Sequence, residues 1–526
     1  MRYTHLLHNV TVALSFSLMI GQVTALAAKD TIGYNNKCGY GTDYTNRYGT
    51  VCTHAAAKEF PDEGRPLYNV CVDGGYVGLY RDVSQWGGLV HFGSFEMKNG
   101  QQATILISYY QPINKYEVLP GKQLDLLQVK QISPQCLRIV LSKADQDITV
   151  VINGETKKNV LHLFANSIDE AKPYVTTDKG YHCYADQKLY YFGKGYYDLK
   201  QLTGKAEFNV EDGWQLYIDA GAVIHGQICM THVHKGTRVT GRGMVYTDST
   251  DKAPSFRIYE CEGADVNGIL FHTHKPSCWQ VIVNHSRNVE FKQVKIISTR
   301  YASTDGLDVI NCQQCAFLNT FIRANDDAIA IKGLGGTPAT CPNNEHLTFC
   351  GMQLWNDCNN AIGIGAENHC ALYNDIRFMN SSVLFSYDDP NYHEQLDERA
   401  AMGICCIHGT YFQNISFDNI DVYHCERLIA VGFYPSFWFG ALKGDQSTAG
   451  GMKYLTFRNI NSYNNSGSRI ANKIHLKAWD EPDTPSKTID GVLFDHVYIN
   501  GRHIDSINDT HFSETNSHGI NNVTFK

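Results

Sequence analysis

The sequence has no basic excess: 45 Lys and Arg stand against 53 Asp and Glu in 526 residues, for a net charge of −8. A polyphosphate partner finds no general electrostatic footing, so nucleic acid is not an expected ligand. Beyond the first 27 residues no apolar run is long enough to cross a bilayer, and no integral membrane segment is expected. Metal and cofactor motifs are equally scarce. Cys312-Gln313-Gln314-Cys315 is the only C-x-x-C, and neither a second such motif nor a spaced His pair accompanies it, so the expectation is no metal and no cofactor. No 3.6-residue apolar period runs through the C-terminal half, which excludes a helical repeat.

What is present begins with a leader. Residues 1–27 carry Arg2, the apolar run Thr11-Val12-Ala13-Leu14-Ser15-Phe16-Ser17-Leu18-Met19-Ile20 and the small-residue stretch Ala25-Leu26-Ala27. This is the layout of a signal peptide cleaved near Ala27, and a secreted, periplasmic or cell-surface protein is expected. All 17 cysteines lie beyond it, an odd number that leaves at least one unpaired even in an oxidising compartment. Small apolar filling of inward stacks is the expected role for most of them.

Hydrophobic residues make up 43% of the chain, enough for one large or two ordinary domains with real cores. From residue 28 to 200 the text is short alternating runs such as Ala103-Thr104-Ile105-Leu106-Ile107-Ser108, broken by hairpin signals such as Asn153-Gly154. That grammar predicts an antiparallel β-sandwich. After Trp214 a different unit recurs, centred on Phe291, Phe317, Phe349, Phe378, Phe417, Phe457, Phe494 and Phe525, with intervals of 26, 32, 29, 39, 40, 37 and 31 residues. Variable intervals around a fixed core unit mean coils with loops inserted on one side. Alternation inside each unit, as in Ile415-Ser416-Phe417-Asp418-Asn419-Ile420, puts apolar side chains on one face, and the Asn residues suit bends between strands. The prediction is an all-β chain, a sandwich at 28–200 followed by a right-handed parallel β-helix at 201–526, with a second sandwich or a propeller as the structural competitor.

Asp305, in Ser303-Thr304-Asp305-Gly306, lies 21 positions before Asp326 in Asn325-Asp326-Asp327, about one coil. Residues one coil apart lie roughly 4.8 Å apart along a solenoid, so Asp305, Asp326 and Asp327 can converge. Taken singly, such residues are ordinary bend caps; together at this spacing they suit carboxylate acid and base chemistry. Adjacent strand residues point to opposite faces, so the backbone must bend or bulge near Asn325 for Asp326 and Asp327 to share a cleft. Lys332 falls on the same face by parity, available to a sugar hydroxyl or to an acid. Trp355, Glu367, Trp438 and Trp479 are candidate subsite linings, since indole faces stack on sugar rings. The aromatic cluster Tyr434-Pro435-Ser436-Phe437-Trp438-Phe439 reads as an inserted loop.

These stretches, with Leu216-Tyr217-Ile218-Asp219-Ala220-Gly221-Ala222-Val223-Ile224-His225-Gly226 and Gly363-Ile364-Gly365, resemble the β-helix glycoside hydrolases: the polygalacturonases and the dextranase and isopullulanase group. The likeness spans about residues 191–526, and the leading sandwich is more similar to the dextranase branch. The resemblance implies Asp326 as general acid, with Asp305 and Asp327 activating water, and inversion at the anomeric carbon. Polygalacturonases also carry a His-Gly before the Gly-rich segment and an Arg-Ile-Lys triplet that grips a uronate. Here those stretches read Asn359-Asn360-Ala361-Ile362 and Cys405-Cys406-Ile407-His408-Gly409. Without that clamp a buried uronate is left uncompensated, so a neutral sugar is expected, with Asn360 and His408 as further candidate contacts. The partner is then a polysaccharide or oligosaccharide, and the enzyme is expected to be a monomer. A pectin-type polygalacturonase, a non-catalytic glycan-binding β-helix and a polysaccharide lyase remain as alternatives; the lyase would require a cation beside the uronate acid.

Overall fold

The computed structural model describes residues 32–35, 40–251, 253–274, 278–298, 300, 303–387, 399–434, 450–464, 467–479, 486–513 and 518–526. The leader, Trp438 and most of the aromatic cluster around it lie outside the described residues. The N-terminal part forms two sheets of seven and five strands. Their pairings are antiparallel except where Val160–Ser167 runs parallel to Leu89–Met97. Val51, Phe95, Ile148 and Leu161 of one sheet meet Val70, Ile105 and Ile139 of the other in a single apolar core. This is the expected sandwich, produced by alternation that turns one face of each sheet inward.

From Tyr181 onward, ahead of position 201, strands join a sheet of 21 strands, and a second sheet of ten runs beside it. Each coil contributes three strands, for example Arg287–Lys292, Lys295–Ser298 and Leu307–Ile310, stacked in parallel register on Ala316–Leu318, Phe321–Ala324 and Ile329–Gly333. From Leu372 the first two strands of each coil fuse into one long strand, as in Leu372–Ser386 and Tyr411–Cys425. The winding is the right-handed parallel β-helix, the hand that parallel crossovers adopt.

The Phe series forms a column through this helix. Phe317, Phe349, Phe378, Phe417, Phe457, Phe494 and Phe525 stack ring on ring with centroids 4.6–5.4 Å apart, and Phe291 meets Phe317 edge-on at 5.2 Å. Two residues after most of these rings the backbone turns through a positive φ: Gln293, Asn319, Gly351, Asn380, Asn419, Asn459 and His496. Asn tolerates that left-handed conformation better than other side chains, which explains the Phe-x-Asn grammar of the repeat. All sixteen described cysteines are thiols, and twelve are buried, several in the helix core beside the Phe column.

The sandwich lies along one side of the helix. Val90, Phe92 and Phe164 pack against Tyr246, Phe321, Trp355 and Phe385 in a shared apolar cluster. At its centre Arg323 grips Asp357 through bonds of 3.0, 3.1 and 3.2 Å, and its other terminal nitrogen reaches His162 of the sandwich at 3.1 Å. Trp86 of the sandwich donates to the Asp357 carbonyl and Trp355 to its carboxylate, both at 3.1 Å. Arg323 and Asp357 are almost wholly buried, so removing one leaves the other charge uncompensated. Asp357→Ala should lower stability by about 3–5 kcal/mol in urea unfolding. The double variant Arg323→Met/Asp357→Leu should lose much less, because no lone charge remains.

Candidate active site

The third strand of each coil starts from a bend, and the bends lie in register. Val281, Leu307, Ile329, Ile362 and Met402 are partners from coil to coil. The residues two positions ahead of them therefore form a column: Trp279, Asp305, Asp327, Asn360 and Ala400. Backbone bonds tie it together, from Gln280 N–H to Asp305 O at 3.0 Å, Gly306 to Asp327 at 2.8 Å and Ala328 to Asn360 at 2.9 Å. Phe321–Ala324 ends just before Asn325 and Ile329–Gly333 begins after Ala328. Asp326 and Asp327 thus sit in the bend expected near Asn325, where strand alternation does not apply.

Asp326 is half-buried, while Asp305 and Asp327 are nearly closed off from solvent. Asp326 accepts from the Ser303 N–H at 3.0 Å and from the Asp327 N–H at 3.1 Å, and the Asn359 amide also donates to it. One oxygen of Asp327 accepts from both the backbone and the side-chain N–H of Asn360, at 3.0 and 2.9 Å. Its other oxygen faces Gly363, where a Cβ would lie 3.0 Å away; glycine keeps that side of the carboxylate clear. Asp305 takes the Lys332 ammonium at 2.8 Å, and the same ammonium lies 3.0 Å from Asp308 and 3.9 Å from Glu367. The Trp279 ring lies 3.8 Å from the Lys332 nitrogen.

Burial and like charge dominate the electrostatics. Burial pushes the Asp305 carboxyl up to about 6; Lys332 opposes the shift and the Asp326 charge adds to it. Burial, then the charges of Asp326 and Asp305, pushes Asp327 well above the ordinary carboxylate range. Asp308 is raised by burial and by Asp305 against the pull of Lys332. Burial disfavours the Lys332 ammonium, but Asp305, Asp308 and Glu367 outweigh it and push its pKa up. The set can therefore keep a proton among its carboxyls near neutral pH while Lys332 stays charged.

Three expectations, for Trp355, Asn360 and Trp479, need correction. Trp355 does not line a subsite: it is fully buried between sandwich and helix, stacked on Phe385 at 4.8 Å and over Arg323. Asn360 does not offer its amide to a sugar. Its nitrogen holds Asp327 and its oxygen accepts from the Ala400 N–H at 2.9 Å, which makes it a positioning residue. Lys332 pairs with an acid, the second of its two expected uses. Glu367 is half-buried beside Lys332, and half-buried His408 meets the edge of His369 at 4.4 Å. Trp479 is buried in the helix core. Sequence reasoning missed Asp308 and Trp279. Asp308 was detectable as a charged residue inside the apolar strand Leu307–Ile310, and Trp279 as the residue one coil before Asp305.

The raised carboxyls make the site a cost at neutral pH. A buried acid whose folded pKa exceeds its unfolded value of about 3.9 adds stability below that pH and loses it as pH rises through the folded pKa. Asp327→Asn should therefore raise the melting temperature at pH 7, and the gain should vanish near pH 3.5. Calorimetry across that range checks the sign.

Comparison with known proteins adds the chemistry. Residues 183–341 match the family model described as "Glycosyl hydrolases family 28". No curated protein matches the chain at a significant level. Among solved structures, Dex49A from Penicillium minioluteum is 11% identical with a TM-score of 0.52, covering 90% of this chain and 98% of its own. The family 28 exopolygalacturonase of Yersinia enterocolitica is 10% identical with a TM-score of 0.41, covering 81% and 97%. The catalytic domain of a GH87 α-1,3-glucanase is 12% identical with a TM-score of 0.42, covering 86% of each chain. The Dex49A likeness bears on the fold alone, while the family match spans the coils that carry Asp305, Asp326, Asp327 and Lys332. On that match the chain is a glycoside hydrolase built on a parallel β-helix.

Proposed function

We propose that the protein is an exported, single-chain inverting hydrolase that cleaves a neutral polysaccharide or oligosaccharide with carboxylates alone. The observation that carries this reading is the pair Asp305 and Asp327 in one bend column with a third aspartate, Asp326, beside them and reaching solvent. Asp326 donates a proton to the departing glycosidic oxygen. Asp305 and Asp327 hold a water on the opposite face of the sugar and take its proton as it attacks, which inverts the anomeric centre. Asn359 and the Ser303 N–H orient the acid, and Asn360 orients Asp327. The half-buried Trp279 offers an indole face beside the column for a sugar ring.

The neutral-sugar preference rests on Lys332. Its ammonium is already engaged by Asp305 and Asp308, so it is not available to neutralise a uronate. The apolar leader followed by small residues supports export.

Proton NMR of products released from neutral glucans, galactans and pectins tests substrate and stereochemistry together. The first sugar released should carry the configuration opposite to that of the cleaved linkage, and retention would overturn the mechanism. Asp326→Asn should lower kcat/KM by about 10²–10⁴-fold with binding preserved; equal loss of binding would favour a glycan-binding role. Asp305 must be ionised to accept a proton, so kcat/KM should fall as pH drops below about 6. Lys332 pulls that pKa down. Lys332→Met should therefore move the acid limb of the profile to higher pH.

A further inference from the structure

A second cluster lies outside the aspartate column, where the sandwich meets the helix. Asp82, in the sandwich strand Tyr80–Val83, points one carboxylate oxygen at two imidazoles. His272 lies in the helix strand Leu270–Thr273, and His274 follows it. Two positions apart, these residues project on the same side, and their shared partner is 192 residues before His274. Asp82 Oδ2 is 3.2 Å from His272 Nε2 and 2.9 Å from His274 Nδ1. All three side chains are buried, with the rings of Phe60 and Phe92 against His272 at 5.4 and 5.3 Å.

The decisive detail is the far side of His272. Its Nδ1 lies 2.8 Å from the Ile297 carbonyl oxygen. A carbonyl only accepts, so Nδ1 carries the hydrogen, and in a neutral ring Nε2 presents a bare lone pair. That lone pair faces a carboxylate oxygen, and among the described residues the buried Nε2 has no hydrogen-bond partner. Two acceptors face to face at this range repel unless a cation lies between them.

We propose that Asp82, His272 and His274 bind a first-row divalent metal of the zinc class, which clamps the sandwich onto the helix. Ligand atoms around a tetrahedral zinc lie about 3.3 Å apart, close to the separations seen here. A histidine ligand whose other nitrogen donates to a backbone carbonyl is the usual supporting arrangement, and Ile297 supplies that carbonyl. Two imidazoles and one carboxylate suit zinc better than calcium or magnesium, which take oxygen ligands. The site lies apart from the catalytic column and takes no part in hydrolysis. Its role is structural.

The test uses the full chain, purified without chelator and analysed for metal by mass spectrometry. Wild type should hold one zinc per chain, and a strong chelator should lower its melting temperature reversibly, with Zn²⁺ restoring it. His272→Gln should lose both the bound zinc and the chelator response. Absence of metal together with no thermal response to added Zn²⁺ would overturn the proposal, as would zinc bound equally well by His272→Gln. If that variant does not fold, Co²⁺ in the wild type decides. Visible d–d bands without a thiolate charge-transfer band support histidine and carboxylate ligation; a thiolate band assigns the metal to cysteines instead and overturns it.

Discussion

In-register stacking of successive coils holds the acidic groups together. From Phe291 on, successive coils repeat the same corner and the same Phe ring, so a backbone bond in one coil fixes the bend in the next. Asp305 and Asp327 are neighbours because Leu307 and Ile329 are register partners, and Asn360 follows because Ile362 comes next. A slip of one residue would turn every side chain to the opposite face and break the column. The ring stack from Phe317 to Phe525 disfavours such a slip through the coils it spans.

That scaffold holds together charges that would otherwise separate. Asp305, Asp308, Asp326 and Asp327 crowd adjacent coils in the middle of the stack, and burial pushes the carboxyl pKa values of Asp305, Asp308 and Asp327 up. Lys332 offsets part of this by holding Asp305 and Asp308 with one ammonium. The Arg323–Asp357 pair at the domain interface is different in kind: its charges balance, and its hydrogen bonds reach both domains. One cluster gathers like charges at a cost in stability, and the other holds the sandwich against the helix.

Much of the fold was legible in the sequence because the repeat is written in short-range terms. The Phe intervals mark the coils, and Phe-x-Asn marks the positive-φ corner. The bend near Asn325 followed from alternation alone. Side chains whose environment is set by the other domain were less legible. Trp355 resembles a subsite aromatic until the sandwich covers it, and no local pattern in the helix announces that contact. Asn360 was visible as a polar residue in the right coil, but its pairing with Asp327 depends on register. The His272 and His274 pair lacks its third partner within the repeat, so nothing nearby marks it as a cluster.

Coil lengths around the column differ greatly. From the register partners, the steps are 26 residues from Val281 to Leu307, 22 to Ile329, 33 to Ile362 and 40 to Met402. The shortest step joins the two aspartate-bearing bends, so that segment has no slack to absorb an insertion. The steps that follow it carry the surplus length. Length can therefore be added or trimmed on that flank while the spacing of the two aspartate-bearing bends stays fixed.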